Sequence, residues 1–270
     1  MEVIIKKDYD GVCTESAAII EEAWRRNSNL VLGFGTGKTP LGLYEKLVEF
    51  YRQGKIDFST VTAFNLDEYV GLEESHPQSF AYYMDHHLFR HVNIRKENIF
   101  RLNGRPADIG EHCRAYERKI QDTGGIDIQI LGIGKNGHIA FNEPGSSLSS
   151  RTRLKVLTPE TVAANRPFFQ DEKEVPRFCL TMGIGTIIET KMALLLASGN
   201  NKAGVIARAV EGPLTASVPA SALQLHARAR FIVDEAAASG LTNRDYYRWA
   251  YENKGRAVDP LKIISPKTRN

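Results

Sequence analysis

Three groups able to move protons stand in short polar segments that each follow an apolar run. Asp67 lies in Asn65-Leu-Asp-Glu-Tyr69, and His138 and Glu143 lie in Gly132-Ile-Gly-Lys-Asn-Gly-His-Ile-Ala-Phe-Asn-Glu-Pro144. A carboxylate at a strand end can take a proton from carbon, and an imidazole can shuttle one between oxygens. Glu143, five residues after His138 on an irregular loop, is near enough to hydrogen-bond the ring, fix its tautomer and raise its basicity. A third segment, Gly33-Phe-Gly-Thr-Gly-Lys-Thr39-Pro40, joins a strand to a helix. It offers backbone N–H groups at a positive helix terminus, which suits a phosphate. Taken singly, a loop aspartate caps a turn and a lone histidine is packed. The joint placement of these groups beside an anion loop points to a site.

Two glycine motifs have to be set aside. Gly37-Lys38-Thr39 has the ending of a nucleoside-triphosphate loop, but that motif needs glycine at position 32, which is leucine. The loop fits a monophosphate instead. Gly132-Ile-Gly-Lys-Asn-Gly137 matches the dinucleotide fingerprint, yet Pro144 stops any long helix after it. About 20 residues on, where an acid should meet the ribose, stands Arg151-Thr-Arg-Leu-Lys155. His87 and His91 have the spacing of a metal pair on one helix, but no third ligand accompanies them and HExxH is absent; no metal is expected. Phe80, Tyr82 and Tyr83 read as packing residues. Arg151, Arg153 and Lys155 form an alternating basic face, solvated or anion-binding.

The elements that must position these loops alternate. Leu30–Phe34, Val61–Phe64, Ile126–Leu131, Met192–Ala197 and Arg230–Val233 read as buried strands. Glu15–Asn27, Pro40–Gln53, Asp108–Asp122 and Asn201–Val210 read as helices, the second with Leu43, Tyr44, Leu47, Val48 and Tyr51 on one face. Thr39 is a competent N-cap before Pro40. Such alternation predicts an α/β fold: a Rossmann-like open, mostly parallel sheet with helices on both faces, in a single domain over 1–253. Pro144–Arg177 reads as an excursion, a candidate lid, and Lys254–Asn270 as a basic tail. In this architecture ligands gather at the carboxyl ends of strands, where the three polar loops lie.

Of the 270 residues, 42% are hydrophobic and 25% charged, an ordinary globular balance. No apolar run is long enough for a bilayer and no secretory signal opens the chain, so a cytoplasmic address and no membrane partner are expected. Cys13, Cys113 and Cys179 are odd in number and far apart, which suits a reducing compartment. The tail carries +4 of a net +3, so the body lacks the basic surplus that nucleic acid demands.

The segments Asn65-Leu-Asp-Glu-Tyr-Val-Gly71 and Gly132 to Pro144 resemble the two signatures of the glucosamine-6-phosphate deaminase family. Thr36-Gly-Lys-Thr-Pro40, Ser146-Ser-Leu-Ser-Ser-Arg-Thr-Arg153 and Leu180-Thr-Met-Gly-Ile-Gly-Thr186 resemble further family segments, in order, to about residue 260. The resemblance implies cofactor-free conversion of glucosamine 6-phosphate and water to fructose 6-phosphate and ammonia. It implies that His138, tuned by Glu143 beside Asn136, opens the sugar ring, that Asp67 moves the proton from C2 to C1, and that Glu68 supports it. Thr36, Gly37, Lys38, Thr39 and Lys202 are the implied phosphate contacts. It further implies a homo-oligomer, with a homohexamer favoured. N-acetylglucosamine 6-phosphate is the implied activator, at Ser146, Ser147, Arg153, Lys155 and Tyr246.

There are departures. Lys38 stands where the family has a small residue, and Asn136 where members have Asp or Asn. Val156 replaces a threonine of the activator site. The family's substrate arginine is displaced to Arg166, with Pro167 in its place. The competing functions are a phosphogluconolactonase-like hydrolase, which would not need Asp67 for deprotonation, and a non-catalytic sugar-phosphate sensor, which would need none of the three titratable groups.

Overall fold

The computed structural model describes residues 1–169, 171 and 174–254; the rest of the basic tail lies outside the described residues. Its strands are β1 (Glu2–Lys6), β2 (Val31–Phe34), β3 (Thr62–Asn65), β4 (Asp67–Tyr69), β5 (Ile99–Phe100), β6 (Ile128–Leu131), β7 (Arg153–Val156), β8 (Phe178–Thr181), β9 (Ala193–Ala197) and β10 (Ala229–Asp234). Its helices are α1 (Tyr9–Arg26), α2 (Lys38–Arg52), α3 (Phe80–His87), α4 (Ile109–Asp122), α5 (Pro159–Asn165), α6 (Ile184–Ile188), α7 (Ala203–Val210), α8 (Glu235–Ala238) and α9 (Arg244–Asn253).

Seven strands make one parallel sheet in the order β1-β10-β9-β6-β2-β3-β5. Alternation along the strands sends side chains to two cores. Leu32, Ile128, Ile130, Leu194, Leu196 and Ile232 meet α1, α2 and α3 on one face. Leu131, Ala193, Leu195, Phe231 and Val233 meet α4, α6, α7 and α8 on the other. This is the doubly covered α/β sheet that the strand–helix alternation predicts. From β2 the chain builds outward through β3 to β5; from β6 it builds the other way to β9 and β10. The strand order therefore reverses between β2 and β6, and the loops leaving their carboxyl ends diverge to open a crevice.

A second sheet, β4-β8-β7, is antiparallel and sits at that crevice. Two expectations change here. Asp67 does not merely trail a strand: it opens β4, opposite Thr181 of β8. The excursion 144–177 contains β7 of this sheet, so that 144–152 and 157–177 flank the strand. On β7, Arg153 and Lys155 share the half-buried face while Leu154 and Val156 are exposed, the reverse of a solvated basic face.

Other boundaries differ for local reasons. α1 starts at Tyr9 because Asp8 caps it, its carboxylate accepting from Gly11 N at 3.0 Å. α2 starts at Lys38, with Gly37 rather than Thr39 as N-cap. Gly37 has φ +109°, a conformation that disfavours any side chain. Pro40 is tolerated because first-turn N–H groups have no intrahelical partner to lose. The expected helix over Asn201–Val210 is a 3₁₀ turn, Asn200–Lys202, followed by α7. α3 ends at His87, and His91 falls in a separate 3₁₀ turn, so the two histidines do not share a helix face.

Candidate active site

The His138 loop is folded back on itself by a tight turn. Asn142 N–H donates to Ile139 carbonyl oxygen at 3.1 Å, the two residues form an isolated bridge, and Ala140 takes φ +51°. The reversal carries Glu143 to His138: Glu143 Oε2 lies 3.2 Å from His138 Nδ1. The same oxygen accepts from Asn136 Nδ2 at 2.7 Å, and Oε1 accepts from Thr161 Oγ1 at 2.5 Å. Asn136 Oδ1 in turn accepts from His138 N–H at 3.2 Å. Burial opposes the Glu143 charge, but these three donors outweigh it and hold the carboxyl down at about 2. Glu143 is thus a fixed anion that fixes the imidazole, with Nδ1 toward the carboxylate and Nε2 turned away from it. Gly134 makes room for the ring: a Cβ there would stand 2.3 Å from His138 Cε1.

Asp67 is only 5% exposed, and its Oδ1 is buried without a hydrogen-bond partner. Burial first, then the charge of Glu68, pushes its pKa well above the usual carboxylate range. Such a group holds a proton strongly and, once ionised, is a stronger base than a solvated aspartate. Glu68 faces the opposite way along the strand and closes the start of α3. Its Oε1 accepts from Tyr69 N at 2.8 Å and Phe80 N at 3.0 Å, and Oε2 from Ala81 N at 2.9 Å. Burial outweighs these amides and lifts Glu68 to about 7.

The small sheet joins the two halves of the site. Thr181, paired with Asp67, accepts from Phe141 N on its Oγ1 at 3.1 Å. Asn142 Nδ2 donates to Met182 carbonyl oxygen at 2.8 Å, and Met182 N to that of Leu66 at 2.9 Å. The turn that carries His138 is therefore tied to the strand that carries Asp67.

Thr36, Gly37, Lys38 and Thr39 form the loop from β2 into α2, at the start of a 15-residue helix. Its free first-turn amides and dipole make an anion site. Lys202 reaches in from the turn before α7, its Nζ donating to Ile133 carbonyl oxygen at 2.6 Å on the His138 loop. Burial, then Lys135 nearby, lowers the pKa of that ammonium. Arg166 lies in the 3₁₀ turn after α5, where Nη1 donates to Phe169 carbonyl oxygen at 3.2 Å. The next residue but one, Phe168, has its ring 5.7 Å from Lys38 Nζ. The excursion thus reaches the anion loop at one end and Glu143 at the other.

Of the five residues expected to hold an activator, four lie on the segment that runs into β7 and one lies on α9. Ser146 is buried with its Oγ unpartnered, Ser147 Oγ is 3.1 Å from Ser149 Oγ, and Arg153 and Lys155 lie on β7. Tyr246 projects from α9, which packs on β1 at the far edge of the main sheet. Among the described residues no helix is long and apolar enough to cross a membrane, and no three His, Cys, Asp or Glu side chains could hold a metal ion.

Several contributors escaped the sequence reading. Thr161 had one local signal, the Thr158 N-cap three residues before it. Thr181 entered only within the family-like segment 180–186, with no role of its own.

Known proteins fit this arrangement. The family model for glucosamine-6-phosphate isomerases and 6-phosphogluconolactonase matches residues 8–232. A glucosamine-6-phosphate deaminase of Thermoanaerobacter pseudethanolicus is 49% identical over 91% of this chain and 97% of its own. One of Cellvibrio japonicus is 47% identical over 97% and 99%. A monomeric glucosamine-6-phosphate deaminase of known structure superposes with a TM-score of 0.86 at 39% identity, covering 89% of this chain and 100% of that one. A 6-phosphogluconolactonase from Trypanosoma cruzi reaches 0.70 at 20% identity over 89% and 97%, a likeness of fold alone. The chain belongs to the glucosamine-6-phosphate isomerase and 6-phosphogluconolactonase family, among its glucosamine-6-phosphate deaminases.

Proposed function

We propose that the protein converts glucosamine 6-phosphate and water to fructose 6-phosphate and ammonia, a hydrolytic isomerisation in amino-sugar breakdown. The observation that carries this reading is the pairing of a buried, unpartnered Asp67 with an oriented His138–Glu143 couple beside an anion loop. The phosphate meets the amides and hydroxyls of 36–39, with Lys38, Lys202 and Arg166 supplying positive charge. His138 moves a proton from the C1 hydroxyl to the ring oxygen, which opens the pyranose to the aldehyde. Asp67, as carboxylate, takes the proton from C2 and returns it to C1, while O1 gains the proton that the amine nitrogen gives up, so the amine-bearing carbon becomes an imine. Water adds to that carbon, ammonia leaves, and the ketose remains. Water supplies the carbonyl oxygen and the two protons that complete ammonia, so the atoms balance without a further reactant.

The test mixes pure protein with glucosamine 6-phosphate and follows ammonia and fructose 6-phosphate together. Equimolar appearance of both supports the reading. Hydrolysis of 6-phosphogluconolactone instead would turn it to the lactonase branch of the fold, and binding without turnover would make the protein a sensor. Arg166→Ala is expected to raise KM more than it lowers kcat; an unchanged KM removes Arg166 from the site.

The finer expectations belong with this reading. Cytoplasmic location agrees with three buried free cysteines. A homo-oligomer activated by N-acetylglucosamine 6-phosphate would bring Tyr246 of one copy, exposed on α9, toward β7 of another. Sedimentation gives the subunit count. A sigmoidal rate curve made hyperbolic by that ligand supports activation, and hyperbolic kinetics that ignore it discard the proposal.

A further inference from the structure

The anion loop is held from behind by three phenols on three different helices. Tyr44 of α2 donates to the Gly35 carbonyl. Tyr83 of α3 donates to the Gly37 carbonyl at 2.6 Å. Tyr9, the first residue of α1, shares its proton between the carbonyls of Thr39 at 2.9 Å and Lys38 at 3.2 Å, and its oxygen accepts from Gly42 N at 2.8 Å. Four carbonyls around the loop, those of Gly35, Gly37, Lys38 and Thr39, are therefore engaged by side chains that come from 9 to 46 residues away in sequence.

A trans peptide places its C=O and N–H on opposite edges of one plane. Fixing the carbonyls of Gly35, Gly37 and Lys38 therefore fixes the N–H groups of Thr36, Lys38 and Thr39 in the opposite sense. The latter two lie in the first turn of α2, where no intrahelical acceptor exists. These are the amides assigned to the phosphate. Burial keeps the phenols protonated, with Tyr9 raised to about 12 and Tyr44 and Tyr83 also pushed up, so they act as donors throughout the working pH range. Tyr83 is itself placed by α3, whose first amides are held by Glu68 next to Asp67. The helix that supports the phosphate loop is thus anchored beside the base.

We infer that Tyr9, Tyr44 and Tyr83 are positioning residues that preorganise the phosphate-binding amides of this loop. The inference rests on the loop serving as the phosphate site of the proposed reaction. A loop left to reorient its peptide planes would have to order them on binding, and that cost would appear in affinity. Because the phosphate is remote from the reacting carbons, the loss falls on substrate and transition state alike, so KM rises while kcat holds.

The test uses the full chain with Tyr83→Phe, Tyr9→Phe and the double variant, each checked by thermal melting. Calorimetry measures binding of inorganic phosphate, and ammonia release gives KM and kcat. Each single variant is expected to weaken phosphate binding and raise KM roughly fivefold, the effect of one lost hydrogen bond. The double variant should approach the product of the two, with kcat within about twofold of the native value. Phosphate affinity and KM unchanged in a folded double variant would overturn the inference, as would a fall in kcat alone. If Tyr83→Phe fails to fold, Tyr9→Phe decides the matter, since Tyr9 is 36% exposed and keeps its ring. Native protein that binds phosphate but releases no ammonia, with weaker binding in the variants, would keep the clamp and discard the deaminase reading. Normal ammonia release with unchanged variants would do the reverse.

Discussion

Glu143 and Asp67 are both carboxylates sealed from solvent, 2% and 5% exposed, one on the loop after β6 and the other opening β4, yet their surroundings oppose each other. Glu143 receives hydrogen bonds from Asn136, Thr161 and His138. Asp67 has a buried Oδ1 that receives none, and the charge of Glu68 beside it. The first environment keeps a charge, and the second resists one. A buried acid with its donors supplied can orient a neighbour but is a weak base; a buried acid denied them is strained toward proton capture. The division of labour between the two regions lies in where the hydrogen-bond donors were placed, not in the residue type.

The sharpest way to break this comparison is Asp67→Asn. It should lower kcat by about 10³-fold or more, the upper part of the range for a lost general base. Stability should move the other way. A raised native pKa means that the folded state holds a proton which the unfolded chain releases above its ordinary value, so Asp67 withdraws stability as pH rises through that window. The asparagine variant should therefore melt at or above the native temperature near pH 8. A variant that is inactive because it melts low would end the argument. Glu143→Gln comes next, with kcat reduced roughly 100-fold as the imidazole loses its anchor. Here stability falls too, by about 1–3 kcal/mol, because buried donors lose a charged acceptor.

Acid titration of stability sharpens the same contrast. Glu143 is depressed from 4.5 to about 2, so its contribution is complete above the unfolded value and drains away as pH falls toward the native one. Melting temperatures between pH 5 and pH 3 should fall less steeply in Glu143→Gln than in native protein. Those of Asp67→Asn should fall more steeply than in native protein over the same range, because the variant loses a group whose raised native pKa adds stability as pH falls. Parallel slopes in all three would mean that Glu143 is not the anion described.

What could be read from the chain followed contact range. The anion loop and the His138–Glu143 pair each lie within one short stretch, of 8 and 6 residues, so both were legible locally, whereas the tyrosines behind the loop and Thr161 on Glu143 come from farther along the chain. The parallel strands were legible for the same reason: Leu194, Leu196 and Ile232 are apolar because both faces are covered. The small sheet was not. β4 is Asp-Glu-Tyr and β7 is Arg-Leu-Lys-Val, whose burial comes from tertiary pairing rather than strand propensity. Glu68 looked like a companion to Asp67, and its work at the start of α3 depends on amides 12 and 13 residues away.

Thr161 offers the smallest effect and the finest probe, because it tests whether the excursion takes part in the electrostatics of Glu143. Its hydroxyl gives one of the two hydrogen bonds not made by the imidazole, and it is itself hydrogen-bonded to Thr158 Oγ1 at 3.1 Å, at the cap of α5. α5 leads directly to the turn whose Phe168 lies against Lys38. Thr161→Val keeps the shape and removes the donor, which should raise the Glu143 pKa and lower kcat about three- to tenfold, as for loss of a hydrogen bond to a charged group. The acid limb of the kcat profile should shift upward in pH, and Thr161→Ser should restore both rate and profile. A purely structural threonine would show a lower melting temperature with an unshifted profile, and serine would not rescue it. With a shifted profile and serine rescue, the excursion would be carrying one of the donors that separates Glu143 from Asp67, so that its seating over the phosphate loop and the charge state of the imidazole's partner are linked through one hydroxyl.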